Sequence, residues 1–327
     1  MPVQITVLGL GQIGTSIGLA LASQKDKITR IGNDREPENA RIAMKQGAFD
    51  STPYNLPHAV EKADVVILAL PVDEIYSTLK LIAQDLKPGA VVINTSPLQV
   101  KVNDWAAELI SGECHLVSLT PTIAAAYLEE VPGGAETAHA DLFKDALIVI
   151  TSPPNTDPDA LKLAADLCSL LGGIPFFADA IEADGLLAAG HLLPRLLAAA
   201  LVNATAGQPG WNETRKLAGR AYANATSPVL ELDESKQLGQ TALLNSQNAA
   251  RVLDNVIAEL GLLRDAIAAG DEEALAKQLV QARDARQSWI KARLSGDYTN
   301  APANPLPTSG EILGRLIGFG KRRDKKK

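Results

Sequence analysis

Three glycines and one carboxylate set the most informative spacing in the chain. Val7-Leu8-Gly9-Leu10-Gly11-Gln12-Ile13-Gly14 reads G-x-G-x-x-G between a β-rich run (4–9) and a helical run (11–23). Gly9 permits a tight turn, Gly11 lets backbone approach a pyrophosphate, and Gly14 lets helix and strand pack closely. The free N–H groups around Leu10, Gln12 and Ile13, together with the helix dipole, favour anionic phosphates. Asp34 closes the next β-run, 20 residues past Gly14. Its carboxylate suits the ribose hydroxyls of NAD and repels a 2′-phosphate. Arg35 beside it suits such a phosphate, so NAD is expected and NADP stays open.

These residues must be carried by alternating strands and helices. Runs 27–32 and 36–46 read as a second strand and helix. The segment DVVILAL (64–70) is almost wholly apolar, as a central parallel strand buried on both faces reads. A helix (75–86), strands at 90–94, 115–120 and 146–151, and a helix around 104–110 complete the series. That order predicts βαβ units and an α/β Rossmann-type, doubly wound parallel sheet. Ligands in such sheets lie beyond the carboxyl ends of the strands. Leu70, Pro71, Thr95, Ser96 and Thr120 are thereby placed around one cleft. From residue 181 onward apolar residues recur every three or four positions over 181–206, 235–269 and 272–294, which predicts an all-helical region. The division expected is 1–152 for dinucleotide binding, 153–180 as connecting helix and last strand, 181–295 as helical substrate and dimerisation domain, and 296–327 as linker and basic tail.

Composition excludes several classes. The 327 residues are 46% hydrophobic and 21% charged, which argues against whole-chain disorder. The formal charge is −7. Seven Lys/Arg stand against two acids within 311–327, so the rest of the chain is more acidic still, which argues against a nucleic-acid partner. Cys114 and Cys168 are the only cysteines, too few for a disulfide framework and consistent with a reducing cytoplasm. Residues 1–10 lack the basic start of a secretory signal, and no uninterrupted apolar run reaches the roughly 18 residues of a spanning helix. No Cys/His/Asp cluster has metal-ligand spacing, so no metal is expected.

With these pieces in place the chain resembles the prephenate/arogenate dehydrogenase family of tyrosine biosynthesis. The carrying residues are VLGLGQIGTSIGLAL (7–21), GNDRE (32–36), ADVVILALPVDEI (63–75), ADGLLAAGHLLPRLLAAAL (183–201) and the run from Leu243 through Trp289-Ile290-Lys291-Ala292-Arg293. The resemblance implies a nicotinamide-binding domain, a helical homodimerisation domain, and oxidative decarboxylation of a small cyclohexadienyl acid. Such chemistry needs nicotinamide held against the ring, a group that polarises the hydroxyl and takes its proton, and cations for the carboxylates.

Most substrate-handling positions depart from the family pattern. The family's H-P-M-A-G loop reads Thr120-Pro121-Thr122-Ile123-Ala124, with Thr120 where the catalytic histidine stands. Its D-x-G-S-x-K loop reads Asn94-Thr95-Ser96-Pro97-Leu98-Gln99, with Gln99 on the lysine and Ser96 one place from the serine. Aligned without a gap on Pro194, the S-H-L-P-H stretch puts His191 on the serine, Leu192 on the first histidine and Arg195 on the second. The substrate arginine of a T-R pair falls at Ser227 after Thr226. His191, Thr120 and Ser96 are the catalytic candidates; Arg195, Arg215 and Arg220 are the carboxylate-binding ones. His191 and Arg195, four apart on one helix, share a face. His115 starts its strand, roughly 16 Å from the cofactor edge, and His58 and His139 read as solvated. Three readings remain: a family dehydrogenase with a rewired substrate shell, a dehydrogenase of another small acid, or a catalytically silent NAD-binding dimer. Residues 311–327 have an amphipathic, basic character, for which a solubilising tail is expected over membrane contact.

Overall fold

The computed structural model describes residues 2–130, 133–231 and 237–296. The expected linker (300–307) and basic tail (311–327) lie outside them. The chain divides into two compact units, Met1–Ala183 and Asp184–Ser295.

The first unit is built on seven strands: β1 (Val3–Leu8), β2 (Ile28–Asn33), β3 (Val65–Leu68), β4 (Val91–Asn94), β5 (His115–Pro121), β6 (Leu147–Thr151) and β7 (Ile174–Phe177). They lie in the order β2-β1-β3-β4-β5-β6-β7. The helices between them are α1 (Gln12–Ala20), α2 (Pro37–Lys45), α3 (Leu56–Val60), α4 (Val72–Ile82), α5 (Val100–Leu109) and α6 (Pro158–Leu170). The four residues of β3 and the first three of β4 are apolar and buried, because helices cover both faces of a parallel sheet. One apolar cluster includes Ile5, Val7, Ile17, Ile67 and Phe143; a second, with Leu8, Val66, Leu68, Ile75 and Leu79, packs on the opposite face. Alternate side chains of β1 and β3 thus divide between the two layers.

Two strands, β6 and β7, run against the expected all-parallel sheet. β6 pairs with β5 antiparallel, Ser118 opposite Thr151 and Pro121 opposite Ile148, while β7 runs parallel to β6. Both β5 and β6 are buried over nearly their whole length, and burial alone does not encode strand direction.

The second unit contains α8 (Leu193–Ala206), α9 (Trp211–Leu217), α10 (Arg220–Thr226), α11 (Gln237–Leu244), α12 (Ser246–Ala269) and α13 (Glu272–Ser295), and α7 (Ala180–Leu187) leads into it. Three differences from the sequence expectation stand out. The short helices α9 and α10 occupy a stretch without long periodicity. The expected helix 235–269 is broken at Asn245, which separates α11 from α12. The expected helix 181–206 contains a π turn over Ala188–Leu192. The stretch Ala180–Ala206 is nonetheless long and apolar enough to cross a membrane by length and composition, with mean hydropathy 1.6 and 22% of that window buried. Asp184, His191 and Arg195 interrupt it, so no unbroken apolar run marks it in the sequence.

Candidate functional site

The glycine loop has the shape of a cradle. Gly9 has φ +90°, and a Cβ there would stand 2.3 Å from the Ala69 carbonyl oxygen. A Cβ at Gly14 would stand 1.9 Å from the Gly9 carbonyl oxygen, whereas one at Gly11 would meet nothing within 4 Å. Gly9 and Gly14 are therefore needed for close packing of β1, α1 and the end of β3, while the space at Gly11 lies open. Gly11 caps α1, and neither a side-chain cap nor an acid in the first turn competes for the helix's opening N–H groups. Backbone amides of Gln12, Ile13 and Gly14 thus border an open space at the positive end of a helix. This arrangement fits a pyrophosphate.

Asp34 follows β2 and stiffens the loop from the other side. Its Oδ2 accepts the Leu10 N–H at 2.6 Å, and its Oδ1 accepts the Glu36 N–H at 2.8 Å. The carboxylate lines a cavity of about 300 Å³ with Ala40, Arg41, Met44, Pro53 and Tyr54. That volume lies at the small end of ligand pockets. Tyr54 and Thr52 carry no signal in the sequence, since a loop after a helix has no periodicity, while Met44 lies near the end of α2. Arg35 pairs with Glu74 on α4, and its Nε lies 3.6 Å from Glu36.

Around the other strand ends, Leu70 is half-buried and Pro71 caps α4 with extended ψ. The Thr95 hydroxyl donates to the Leu68 carbonyl at 3.0 Å, tying the end of β3 to the turn after β4. The Gln12 side chain reaches away from the cradle. Its amide donates to the Thr137 carbonyl at 2.9 Å, and Ser16 Oγ accepts the His139 N–H at 3.0 Å. These two bonds hold the β5–β6 loop on α1. His139 is accordingly not merely solvated. Its ring stacks on Tyr127 at 4.3 Å and Nε2 lies 3.0 Å from Glu130. His58 lies 3.1 Å from Glu61.

Thr120 and Ser96 lie in a buried polar network. The Thr120 hydroxyl donates to the Ser96 carbonyl at 2.8 Å and accepts from Gln99 Nε2 at 3.0 Å. Gln99 Nε2 also donates to the Ser96 carbonyl, and its Oε1 accepts from the Thr151 hydroxyl at 3.1 Å. Asn94 reaches the Leu98 carbonyl and Ser118 Oγ, and receives the Ser96 N–H. Ser96, Gln99, Thr120 and Thr151 are all buried. The network is neutral and internally paired, and it joins the ends of β4, β5 and β6. Gln99 as a hub and Thr151 as its partner escape the sequence, because the residues they join lie 21 and 52 positions from Gln99.

In the second unit, His191 lies within the π turn, half-buried beside buried Ala188 and Leu192. Burial, then the charges of Arg195 and Arg293, holds its imidazole below the ordinary histidine pKa. It is therefore neutral at pH 7 and able to accept a proton. Arg195 Nη1 donates to the His191 carbonyl at 3.0 Å, across one turn. Arg293, on α13, was not among the sequence candidates; no local pattern relates it to a histidine a hundred residues earlier. Arg215 and Arg220 are exposed, on α9 and at the start of α10. Thr226 and Ser227 donate to nearby backbone carbonyls, those of Tyr222 and Asn224. Among the described residues no three His, Cys, Asp or Glu side chains gather in a way that suits a metal.

Comparisons with known proteins agree with this geometry. Residues 17–174 match the family model of the prephenate dehydrogenase nucleotide-binding domain. A cyclohexadienyl dehydrogenase of Zymomonas mobilis is 25% identical over 282 residues, 86% of this chain and 94% of the relative. A probable prephenate dehydrogenase of Streptomyces niveus is 30% identical over 260 residues, covering 76% and 68%. Among solved structures, prephenate dehydrogenase of Aquifex aeolicus, in complex with hydroxyphenyl propionate and NAD+, aligns with a TM-score of 0.78. Its identity is 20%, over 88% of this chain and 99% of the other, a likeness of fold.

Proposed function

The chain belongs to the prephenate dehydrogenase family, and from that premise we propose that it oxidatively decarboxylates a cyclohexadienyl acid, prephenate or arogenate, in tyrosine biosynthesis. The observation that carries the reading is the glycine cradle with Asp34 beside it. Its open face at Gly11 and uncapped helix start suit a dinucleotide pyrophosphate, and the neighbouring cavity suits the adenosine end. NAD is the coenzyme proposed; held by this cradle it would supply the hydride acceptor for an oxidative decarboxylation.

The chain's own residues take distinct roles. The Gly9–Gly14 backbone holds the pyrophosphate, Asp34 receives the ribose hydroxyls, and Leu70, Pro71 and Thr95 shape the cleft wall. In the Ser96–Gln99–Thr120 network, Gln99 and Thr120 stand in place of the family's lysine and histidine, and its neutral groups satisfy one another. Proton acceptance is therefore assigned to His191, whose burial keeps it neutral at pH 7. The π turn supports this choice. A π turn accommodates one extra residue in a helix, and on that ground we count back from Pro194 with one gap across Ala188–Leu192. One residue taken up between His191 and Pro194 puts His191 on the family's first histidine instead of its serine. Arg195, with Arg215 and Arg220 as further cations, is assigned to the carboxylates.

We further propose that residues 1–152 form the dinucleotide-binding domain and 153–180 the connector. Residues 181–295 are assigned to substrate binding and homodimerisation. Exposed Ile181, Leu186, Leu243, Ile257, Leu260 and Ile267 supply apolar surface for association. A cytoplasmic location accords with two free, buried cysteines. Purified protein supplied with NAD+ and each acid tests the activity. NADH formation with release of carbon dioxide is the expected result. NAD+ binding without turnover of either acid would favour the silent reading, for which the self-satisfied network at Thr120 speaks.

A further inference from the structure

Two guanidinium groups belong to the surroundings of Asp34, Arg41 lining its cavity and Arg35 next to it in sequence, and acids hold both. Arg35 follows Asp34 in sequence and is paired with Glu74, from the first turn of α4, with Glu36 as a second acid 3.6 Å away. Arg41 lines the cavity and is paired with Glu38 through two bonds, Nε to Oε2 at 2.8 Å and Nη2 to Oε1 at 2.6 Å. A guanidinium's value to a phosphate lies in its fork of N–H donors. Here both forks point at carboxylates of the chain itself. A ribose 2′-phosphate beside Asp34 would meet that carboxylate, with Arg41 already engaged by Glu38 and Arg35 by Glu74 and Glu36. By contrast, the uncharged ribose hydroxyls of NAD require only the Asp34 carboxylate, which is pinned by Leu10 and Glu36 amides.

Resting on the dinucleotide reading above, we propose that Glu74 and Glu38 are specificity-determining residues. By holding Arg35 and Arg41 they make the ribose rim reject a 2′-phosphate, so the chain selects NAD over NADP. Asp34 alone does not account for the selection. Arg35 is sited to bind phosphate, and without Glu74 nothing in the immediate sequence would turn it aside except its neighbour Glu36. Glu74 comes from a different βα unit, so the selecting contact is tertiary.

Calorimetric titration of the full-length protein with NAD+ and with NADP+ tests this without any assay of turnover. In E38Q/E74Q the Kd for NADP+ should fall by about tenfold or more, the gain of one or two charge-assisted contacts. The Kd for NAD+ should stay within about threefold, since hydroxyl recognition at Asp34 is untouched. Adding R35A and R41A to that variant should return NADP+ to its original weakness. All four residues have side chains in contact with solvent, so thermal melts are expected to confirm intact folding. An unchanged NADP+ affinity in E38Q/E74Q, with NAD+ still binding, overturns this inference alone. So does a gain that survives loss of both arginines. Failure of the unaltered protein to bind either dinucleotide overturns the dinucleotide reading itself, and this inference with it.

Discussion

Replacing Thr120 by valine separates a structural hydroxyl from a catalytic one. Valine keeps the shape and removes only Oγ1, which makes two buried hydrogen bonds, to the Ser96 carbonyl at 2.8 Å and from Gln99 Nε2 at 3.0 Å. Neither partner is orphaned. Gln99 Nε2 still reaches the Ser96 carbonyl at 3.0 Å, so each retains one bond. The loss is then two net hydrogen bonds at about 1 kcal/mol each, without the larger penalty of an unpaired buried group. A destabilisation of about 2 kcal/mol is expected, lowering the melting temperature of the first unit by roughly 4–8 °C. Gln99→Leu should cost more, about 4–5 kcal/mol, because it removes three bonds at about 1 kcal/mol each and also strands the buried Thr151 hydroxyl. Thermal or urea unfolding gives the stability, and NADH formation per folded molecule gives the turnover. The expected pattern for T120V is lost stability with turnover within about threefold of the unaltered enzyme. Unchanged stability with turnover reduced a hundredfold would refute the reasoning, since the hydroxyl would then be acting on substrate.

Three further outcomes can be checked. Gly14→Ala places a methyl carbon 1.9 Å from the Gly9 carbonyl oxygen, so the cradle must open and NAD+ affinity, read by calorimetry, should fall at least about tenfold. His191 is neutral in the fold because burial, Arg195 and Arg293 disfavour its charged form. Turnover should hold steady at neutral pH and fall on acidification, with an apparent pKa below the usual value of about 6.5; stability should likewise decline as pH falls through the unfolded histidine's pKa, and H191A should abolish turnover and remove this step from the stability profile, leaving the loss at lower pH that Asp50 brings. Burial alone would raise the Asp50 carboxyl, but hydrogen bonds and charge from buried Arg30 outweigh it and lower its pKa. Asp50→Ala leaves the Arg30 guanidinium with the Gly18 and Gly47 carbonyls only. It should cost about 2 kcal/mol in urea unfolding, less than the about 3–5 of a fully buried pair because Asp50 is partly solvated. That contribution is complete above about pH 4 and is lost as pH falls further.

The cofactor side of the protein was readable from local pattern. A glycine loop is a short-range device. Its spacing, the preceding apolar strand and the acid at the end of the next strand all lie within Val3–Asp34, and so does the close approach of Gly14 to Gly9, whereas the crowding of Gly9 by Ala69 comes from the neighbouring strand. The apolar runs of β3 and β4 were equally plain, because a strand buried on both faces has no room for polar residues. The substrate side was less legible. Thr120 and Ser96 were picked out by position against a family pattern, yet their hydroxyl and carbonyl are engaged by Gln99, and Thr151 closes the group from β6. Four residues on three strand ends meet only when the sheet forms.

The same division explains the remaining surprises. Periodicity identified the helix through His191 but not its π turn, since one extra residue barely disturbs an apolar repeat. Strand direction at β6 is set by the connection and by which neighbour's N–H and C=O groups are available, and side-chain hydrophobicity is blind to both. Arg35 beside Asp34 reads along the chain as a phosphate ligand; across the fold it is a guanidinium held by Glu74. Short-range chemistry was therefore written in neighbouring residues. Charge pairing and buried polar partnerships were settled by packing, because both depend on distances between segments that the linear order leaves free.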